Sequence, residues 1–254
     1  MPADVPDVLL DARGLGRALG ASGGVADVTL ALRRGDVLGL LGLNGAGKST
    51  TLRLLAGVLA PDTGSVAIAG HSMEDAPLEA RARLGYLPDV PPLYPDMRVG
   101  DYVAHAARLR RLEGAVLADA VARAVERCGL DGVAGRRIEG LSKGYRQRVG
   151  LAQALVHEPD VLLLDEPGSG LDPHQTEELR ALVDGYGREH CVVFSTHLLH
   201  EARSVCNRVA VVHEGRLVAE RAADGDELDA LFDDLARGTP NHLPTAADSG
   251  AVNP

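Results

Sequence analysis

A lysine and a hydroxyl stand directly behind a glycine-rich run in Gly42-Leu43-Asn44-Gly45-Ala46-Gly47-Lys48-Ser49, with Thr50 next. The spacing, GxxxxGK(S/T), suits a chain of phosphates. Glycine lets the backbone curl so that successive N–H groups face phosphate oxygens. A helix read over Thr50 to Ala56 adds the positive potential of its N-terminus. Gly42, Asn44, Gly45, Gly47, Lys48, Ser49 and Thr50 form the candidate cradle, in which Lys48 reaches the β- and γ-phosphates and the Ser49 hydroxyl ligates Mg²⁺. A second cluster follows an apolar run, Val161-Leu162-Leu163-Leu164-Asp165-Glu166-Pro167. There Asp165 is placed to hold Mg²⁺, directly or through water, and Glu166 to polarise an attacking water. Alone, Asp-Glu after a strand reads equally well as a solvated loop. Beside the first motif it becomes the second half of a phosphate-cleaving site.

Three apolar runs must position these groups: Val37 to Leu41, Val161 to Leu164 and Cys191 to Phe194. Apolar on both faces, they read as strands of a parallel sheet, whose carboxyl ends collect chemistry. The alternating Val25 to Leu32, and Ser65 to Ile68 after the turn Pro61-Asp62-Thr63-Gly64, predict a small antiparallel sheet alongside. Between Asp89 and Pro159 helical periodicity takes over, in Val99 to Leu112, Val116 to Cys128 and Gly144 to His157. One acidic amphipathic segment, Glu227 to Leu235, follows near the end, and the Pro- and Gly-rich residues 237–254 read as disordered.

Composition narrows the function classes. The 254 residues are 45% apolar and 24% charged, with a net charge of -10, no Trp, two Phe and five Tyr. A nucleic-acid surface needs cations for phosphates and rings for bases, so no nucleic-acid partner is expected. Cys128, Cys191 and Cys206 match no metal spacing and read as reduced cytosolic thiols. The acidic N-terminus does not fit a signal peptide, and no apolar stretch approaches the roughly 20 residues of a membrane span.

Further pieces carry a resemblance. Leu141-Ser142-Lys143-Gly144-Tyr145-Arg146-Gln147 opens a helix, Gly170-Leu171-Asp172-Pro173 follows the carboxylates, Ser195-Thr196-His197 ends the next strand, and Gly85-Tyr86-Leu87-Pro88 precedes the helical segment. In this order they resemble ATP-binding-cassette (ABC) ATPases over about residues 7–221. LSKGYRQRVGLAQAL, GYLPDVPPLYPDMRVGDY and LDALFDDLARG are similar to the export-type branch that serves drugs, copper and gliding motility. The resemblance implies an α/β, P-loop NTPase fold: a RecA-like parallel-sheet core, an N-terminal antiparallel β-subdomain and an inserted helical subdomain. It implies an ATPase domain over 1–221 with the insert at 89–159, then a helical segment at 222–236.

The resemblance also assigns roles. Ser142 and Gly144 would bind the γ-phosphate of a nucleotide held by a second subunit. Asp172 would contact that subunit, and His197 would hydrogen-bond the γ-phosphate beside Glu166 and Lys48. ATP and Mg²⁺ are implied, as are a second copy or a homologous ATPase subunit and a separately encoded integral membrane permease. The implied location is cytoplasmic, peripheral on the inner face of a bacterial cell membrane. A soluble cassette ATPase and a catalytically silent nucleotide-gated module are the competing classes.

Several positions depart from the family. Asp89 stands where Gln senses Mg²⁺ and water; it either takes over cation binding or is only a turn residue after Pro88. Lys143 and Tyr145 replace Gly and Gln of the signature, and Gly168 stands where Thr is frequent. Leu19 occupies the place of the ring that usually stacks on adenine, and no Phe, Tyr or Trp precedes Tyr86. The basic run Arg108 to Arg111 reads first as a solvated helix face. The closing segment is short for the branch, so an accessory domain usual there is not expected.

Overall fold

The computed structural model describes residues 7–20, 23–225 and 227–237. In chain order the elements are β1 (Val8–Ala18), β2 (Gly24–Arg33), β3 (Val37–Leu41), α1 (Lys48–Leu55), β4 (Thr63–Ile68), β5 (His71–Ser72), α2 (Pro77–Ala82), β6 (Leu84–Leu87), α3 (Val99–Leu109), α4 (Gly114–Arg127), α5 (Lys143–Leu155), β7 (Val161–Asp165), α6 (Pro173–Gly187), β8 (Cys191–Thr196), α7 (Leu199–Val205), β9 (Arg208–His213), β10 (Arg216–Ala222) and α8 (Glu227–Arg237).

Every residue of β3, β7 and β8 is buried, as expected of strands covered on both faces. They form the centre of a six-stranded sheet, order β10-β9-β3-β8-β7-β6, parallel except for β10. Register decides the chemistry: Leu41 lies beside Thr196 and Asp165 beside Ser195. The first glycine of the cradle, the carboxylates and the Ser-Thr-His run therefore emerge along one sheet edge. The antiparallel sheet, order β2-β1-β4-β5, lies alongside, with β2 alternating buried and exposed.

The expected strands and helices are present with shifted ends. Helix α1 begins at Lys48 rather than Thr50, because Gly47 at φ 109° turns the chain straight into the helix. Helix α3 stops at Leu109 instead of Leu112, where Arg111 takes a left-handed φ of 64°. Strands β1, β5, β6, β9 and β10 and helices α2, α6 and α7 are not among the expected elements. In α3, α4 and α5, Val103, Ala107, Ala124, Val149 and Leu151 belong to one buried cluster that continues into Leu162 and Phe194 of the sheet. Helix α8 packs Leu228, Leu231 and Leu235 against Val209 and Val211, which caps the far edge. Of residues 237–254, read from sequence as a disordered tail, Arg237 ends helix α8 and the rest lie outside the described residues. Among the described residues no helix is long and apolar enough to cross a membrane.

Candidate nucleotide site

The glycine-rich run forms a tight loop between β3 and α1. Gly45 and Gly47 sit at φ 80° and 109°, where a Cβ is strained. At Gly42 the obstacle is steric, since a Cβ would come within 2.4 Å of the Val212 carbonyl. Lys48, only 5% exposed, folds back over the loop, and its Nζ donates to the carbonyls of Gly42 at 2.8 Å and Leu43 at 3.3 Å. That ammonium also lies 3.3 Å from Glu166 Oε1.

Glu166 adopts a left-handed φ of 45°, a conformation that costs about 1 kcal/mol or more outside glycine. Its N–H is tied to Ser195 Oγ at 2.9 Å. The turn sends the carboxylate between two partners: Oε1 faces Lys48, and Oε2 meets His197 Nδ1 at 2.9 Å. Asp165 is 1% exposed, and its Oδ1 accepts from Ser49 Oγ at 3.0 Å and Ser195 Oγ at 2.8 Å. Burial raises the Asp165 pKa, the hydrogen bonds from Ser195 and Ser49 oppose that rise, and the nearby charges of Asp89 and Glu166 add to it.

Mg²⁺ fits this donor set. It favours hard oxygen ligands and usually takes only one or two carboxylates, the rest being phosphate oxygens and water. Ser49 and Asp165 place two such oxygens side by side. Among the described residues no cluster of three or more His, Cys, Asp or Glu side chains could hold a metal by itself.

A cleft of about 490 Å³ opens over the loop, lined by Leu19, Asn44, Gly45, Gly47, Lys48, Ser49, Thr50, Asp89, Glu166 and His197, with Gly24, Ala46 and Ser169. Residues expected from five separate stretches of sequence thus meet in one place. Gly42 and Asp165 do not line the cleft but are bonded to residues that do, the Gly42 carbonyl to Lys48 Nζ and Asp165 Oδ1 to Ser49 Oγ. A larger cavity, about 580 Å³, lies among α4, α5 and α6 and shares no lining residue with the cleft. Lys48, Glu166 and His197 line the smaller one.

Ser142 and Gly144 do not line the cleft. Ser142 caps α5, its hydroxyl accepting from the Tyr145 N–H at 3.4 Å. Gly144 is pressed against α6, where an added Cβ would meet Gln175 Oε1 at 2.4 Å. Lys143, a departure from the family pattern, donates to Ser169 Oγ at 3.4 Å. Asp172 caps α6 in a reciprocal box with Gln175, so its carboxylate is already engaged within the chain. Sequence reasoning gave Ser195 no role, although it bridges Asp165 to the Glu166 backbone. Its place at the end of a buried strand beside the carboxylate strand was the available signal.

Comparison with known proteins agrees with this geometry. The ABC transporter family profile matches residues 25–169. The chain is 38% identical over 193 residues to the ABC transporter ATP-binding protein YxlF of Bacillus subtilis, covering 76% of this chain and 64% of that one. It is 40% identical over 192 residues to the Nod factor export ATP-binding protein I of Paraburkholderia xenovorans, covering 74% and 62%. It therefore spans slightly under two thirds of those two relatives. With NatA of Bacillus subtilis, an ABC transporter ATP-binding protein, identity is 34% over 202 residues, or 79% of this chain and 82% of that one. A solved ATP-binding subunit of an ABC transporter superposes with a TM-score of 0.77 at 28% identity, covering 92% of this chain and 95% of the other. The cradle, the paired carboxylates and His197 on one sheet edge, together with these likenesses over most of the chain, place the protein in the ABC transporter family of ATP-binding subunits.

Proposed function

We propose that this chain binds and hydrolyses ATP with Mg²⁺, works head to tail with a second copy or a homologous subunit, and drives export through a separately encoded membrane permease. The observation that carries the paired arrangement is the separation of the two phosphate-binding elements. The cleft holds Lys48, Ser49, Glu166 and His197, while the helix start at Ser142 and Gly144 lies outside it. A helix N-terminus has N–H groups without intrahelical acceptors and attracts anions. In a head-to-tail pair, Ser142 and Gly144 of one copy complete the cleft of the other. Export is supported by relatives named for Nod factor export and for probable multidrug transport. The chain acts at the cytoplasmic face of the membrane. Residues 1–221 form its ATPase unit, with 89–159 as the inserted lobe that meets the permease and 222–236 as a helical appendage.

In this reading the loop N–H groups and Lys48 hold the phosphates, and Ser49 and Asp165 would hold Mg²⁺, which would supply positive charge against the phosphate oxygens. Glu166 Oε1, released once Lys48 turns to the phosphates, takes the proton of the attacking water while Oε2 stays on His197. His197 holds Glu166 in place through Nδ1, which leaves Nε2 to face the γ-phosphate. The Glu166–Lys48 ion pair, 3.3 Å, exchanges for Lys48–phosphate contacts when nucleotide enters and frees the carboxylate for water.

Mixing two inactive variants tests the pairing. Lys48→Ala disables one half of the composite site and Ser142→Arg the other. Mixed pairs retain one intact site of two, so an equimolar mixture should recover up to about a quarter of wild-type phosphate release. A mixture as inactive as its components would show that the site belongs to one subunit.

A further inference from the structure

The two loops that carry Glu166 and His197 meet on a side chain that the proposed chemistry leaves unused. Glu201 stands in the first turn of α7, directly behind the Ser195-Thr196-His197 run. Its Oε2 accepts a hydrogen bond from Thr196 Oγ1 at 2.6 Å. The same hydroxyl accepts the N–H of Leu198 at 3.1 Å. His197 is thus bracketed by two residues that converge on one oxygen. Thr196 is 1% exposed, whereas the His197 side chain is 44% exposed, so packing does not hold the ring. What fixes its place is the bond from Nδ1 to Glu166 Oε2 together with the backbone on either side.

The other oxygen of Glu201 faces the loop that follows the carboxylates. A Cβ added at Gly168 would lie 3.2 Å from Glu201 Oε1, closer than most side chains tolerate. Gly168 belongs to a turn anchored on Glu166, in which the Ser169 N–H donates to the Glu166 carbonyl at 3.0 Å and the Leu171 N–H to the Gly168 carbonyl at 3.2 Å. The glycine therefore lets a carboxylate from α7 close over this turn. Strands β7 and β8 pair up to Asp165 and Ser195, and beyond that point the sheet no longer aligns the two loops.

We propose that Glu201 is a positioning residue for ATP hydrolysis, holding the His197 loop against the Glu166 turn through Thr196 and across Gly168. It acts through other residues and touches no reacting atom. This rests on the reading of Glu166 and His197 as the hydrolytic pair.

Steady-state phosphate release by the full chain tests it. Glu201→Ala and Thr196→Val should each lower kcat about tenfold while KM for ATP stays within about twofold, because the cradle is untouched. Glu201→Gln keeps an oxygen that accepts from Thr196 and should restore kcat to within about threefold of wild type. In a His197→Ala background, adding Glu201→Ala should cost less than about twofold more, because both changes remove one function. Wild-type kcat in Glu201→Ala and Thr196→Val would overturn the proposal, as would losses that multiply with His197→Ala. If Glu201→Ala fails to fold, Thr196→Val and its rescue by Thr196→Ser carry the test alone. Full activity in His197→Ala would instead strike the reading of the hydrolytic pair itself.

Discussion

The sheet edge and the start of α5 both end in a helix N-terminus, yet they are prepared differently for phosphate. At the edge, Gly47 precedes α1 with no side chain capping its first turn, and Ser49 is turned toward Asp165. Behind it, Lys48, Asp165, Glu166, Ser195 and His197 are joined by contacts of 2.8 to 3.3 Å. At α5, Ser142 spends its hydroxyl on its own helix and Gly144 packs against Gln175. One region is assembled before any ligand arrives; the other supplies only a helix end and a small residue. Preorganised groups stabilise charge without reorganising, so the sheet edge should carry the chemical step. The helix start should carry the dependence on a second subunit.

The largest effect expected from this contrast falls on the preassembled side. Glu166→Gln should lower kcat about a thousandfold, near 4 kcal/mol of transition-state stabilisation, while ATP still binds. Lys48→Ala should remove tight binding as well. Ser142→Ala should cost less than either in kcat and should raise the protein concentration at which activity is half-maximal. If Ser142→Ala matched Glu166→Gln at every concentration, the two regions would not differ in the way described. Phosphate release across a protein dilution series reads both quantities.

A seam between the helical lobe and the sheet gives the next test. His157, just past α5, places Nε2 3.0 Å from the Leu84 carbonyl of β6, while its Nδ1 is buried without a partner. A neutral ring with its proton on Nε2 suits that site; a second proton on Nδ1 does not. Burial, reinforced by the charge of Arg110 and opposed by the bond to Leu84, lowers the His157 pKa from 6.5 to about 4. Below pH 6.5 the unfolded chain takes up a proton that the folded chain refuses, so stability falls as pH drops from 6.5 toward 4. The full loss is on the order of 3 kcal/mol at the low end of that window. His157→Gln, which can still donate to Leu84, should flatten the fall. Urea midpoints at pH 7 and pH 5 that shift equally for both proteins would remove His157 from the account.

How much of this was legible in the sequence follows the same division. The fully buried strands Val37–Leu41 and Val161–Asp165 announce themselves as short apolar runs, and the cradle can be read residue by residue. Strand β9, Arg208–His213, is equally buried through its middle, but it offers no motif to mark its end. Helix α6 carries its start signal in Asp172-Pro173-His174-Gln175, a capping box overshadowed by the role that family likeness gives Asp172. Contacts across the chain were not legible at all. The Ser195 bridge depends on strand register, which spacing along the sequence does not encode, and the hold of Glu201 on Thr196 depends on the turn from β8 into α7.

The smallest effect separates the two ends of the cleft itself. In the proposed reading the phosphates lie against the loop and Lys48, and the base lies toward Leu19, 42% exposed, as the apolar surface at the other end of the cleft. A leucine packs against adenine and guanine alike and makes no hydrogen bond to either ring edge, so it cannot reject a base by leaving a polar group unpaired. Nucleotide selectivity should therefore be weak, with GTP binding within about tenfold of ATP. Stacking on a ring is worth about 1 to 3 kcal/mol per base, so Leu19→Tyr should tighten both nucleotides by about tenfold, near 1.4 kcal/mol. Because the gain is made at the base, it should appear in binding and leave kcat unchanged. A thousandfold preference for ATP in titrations of the wild-type chain would mean that a polar contact reads the base edge. The cleft would then be as closely specified at the base as it is at the phosphates.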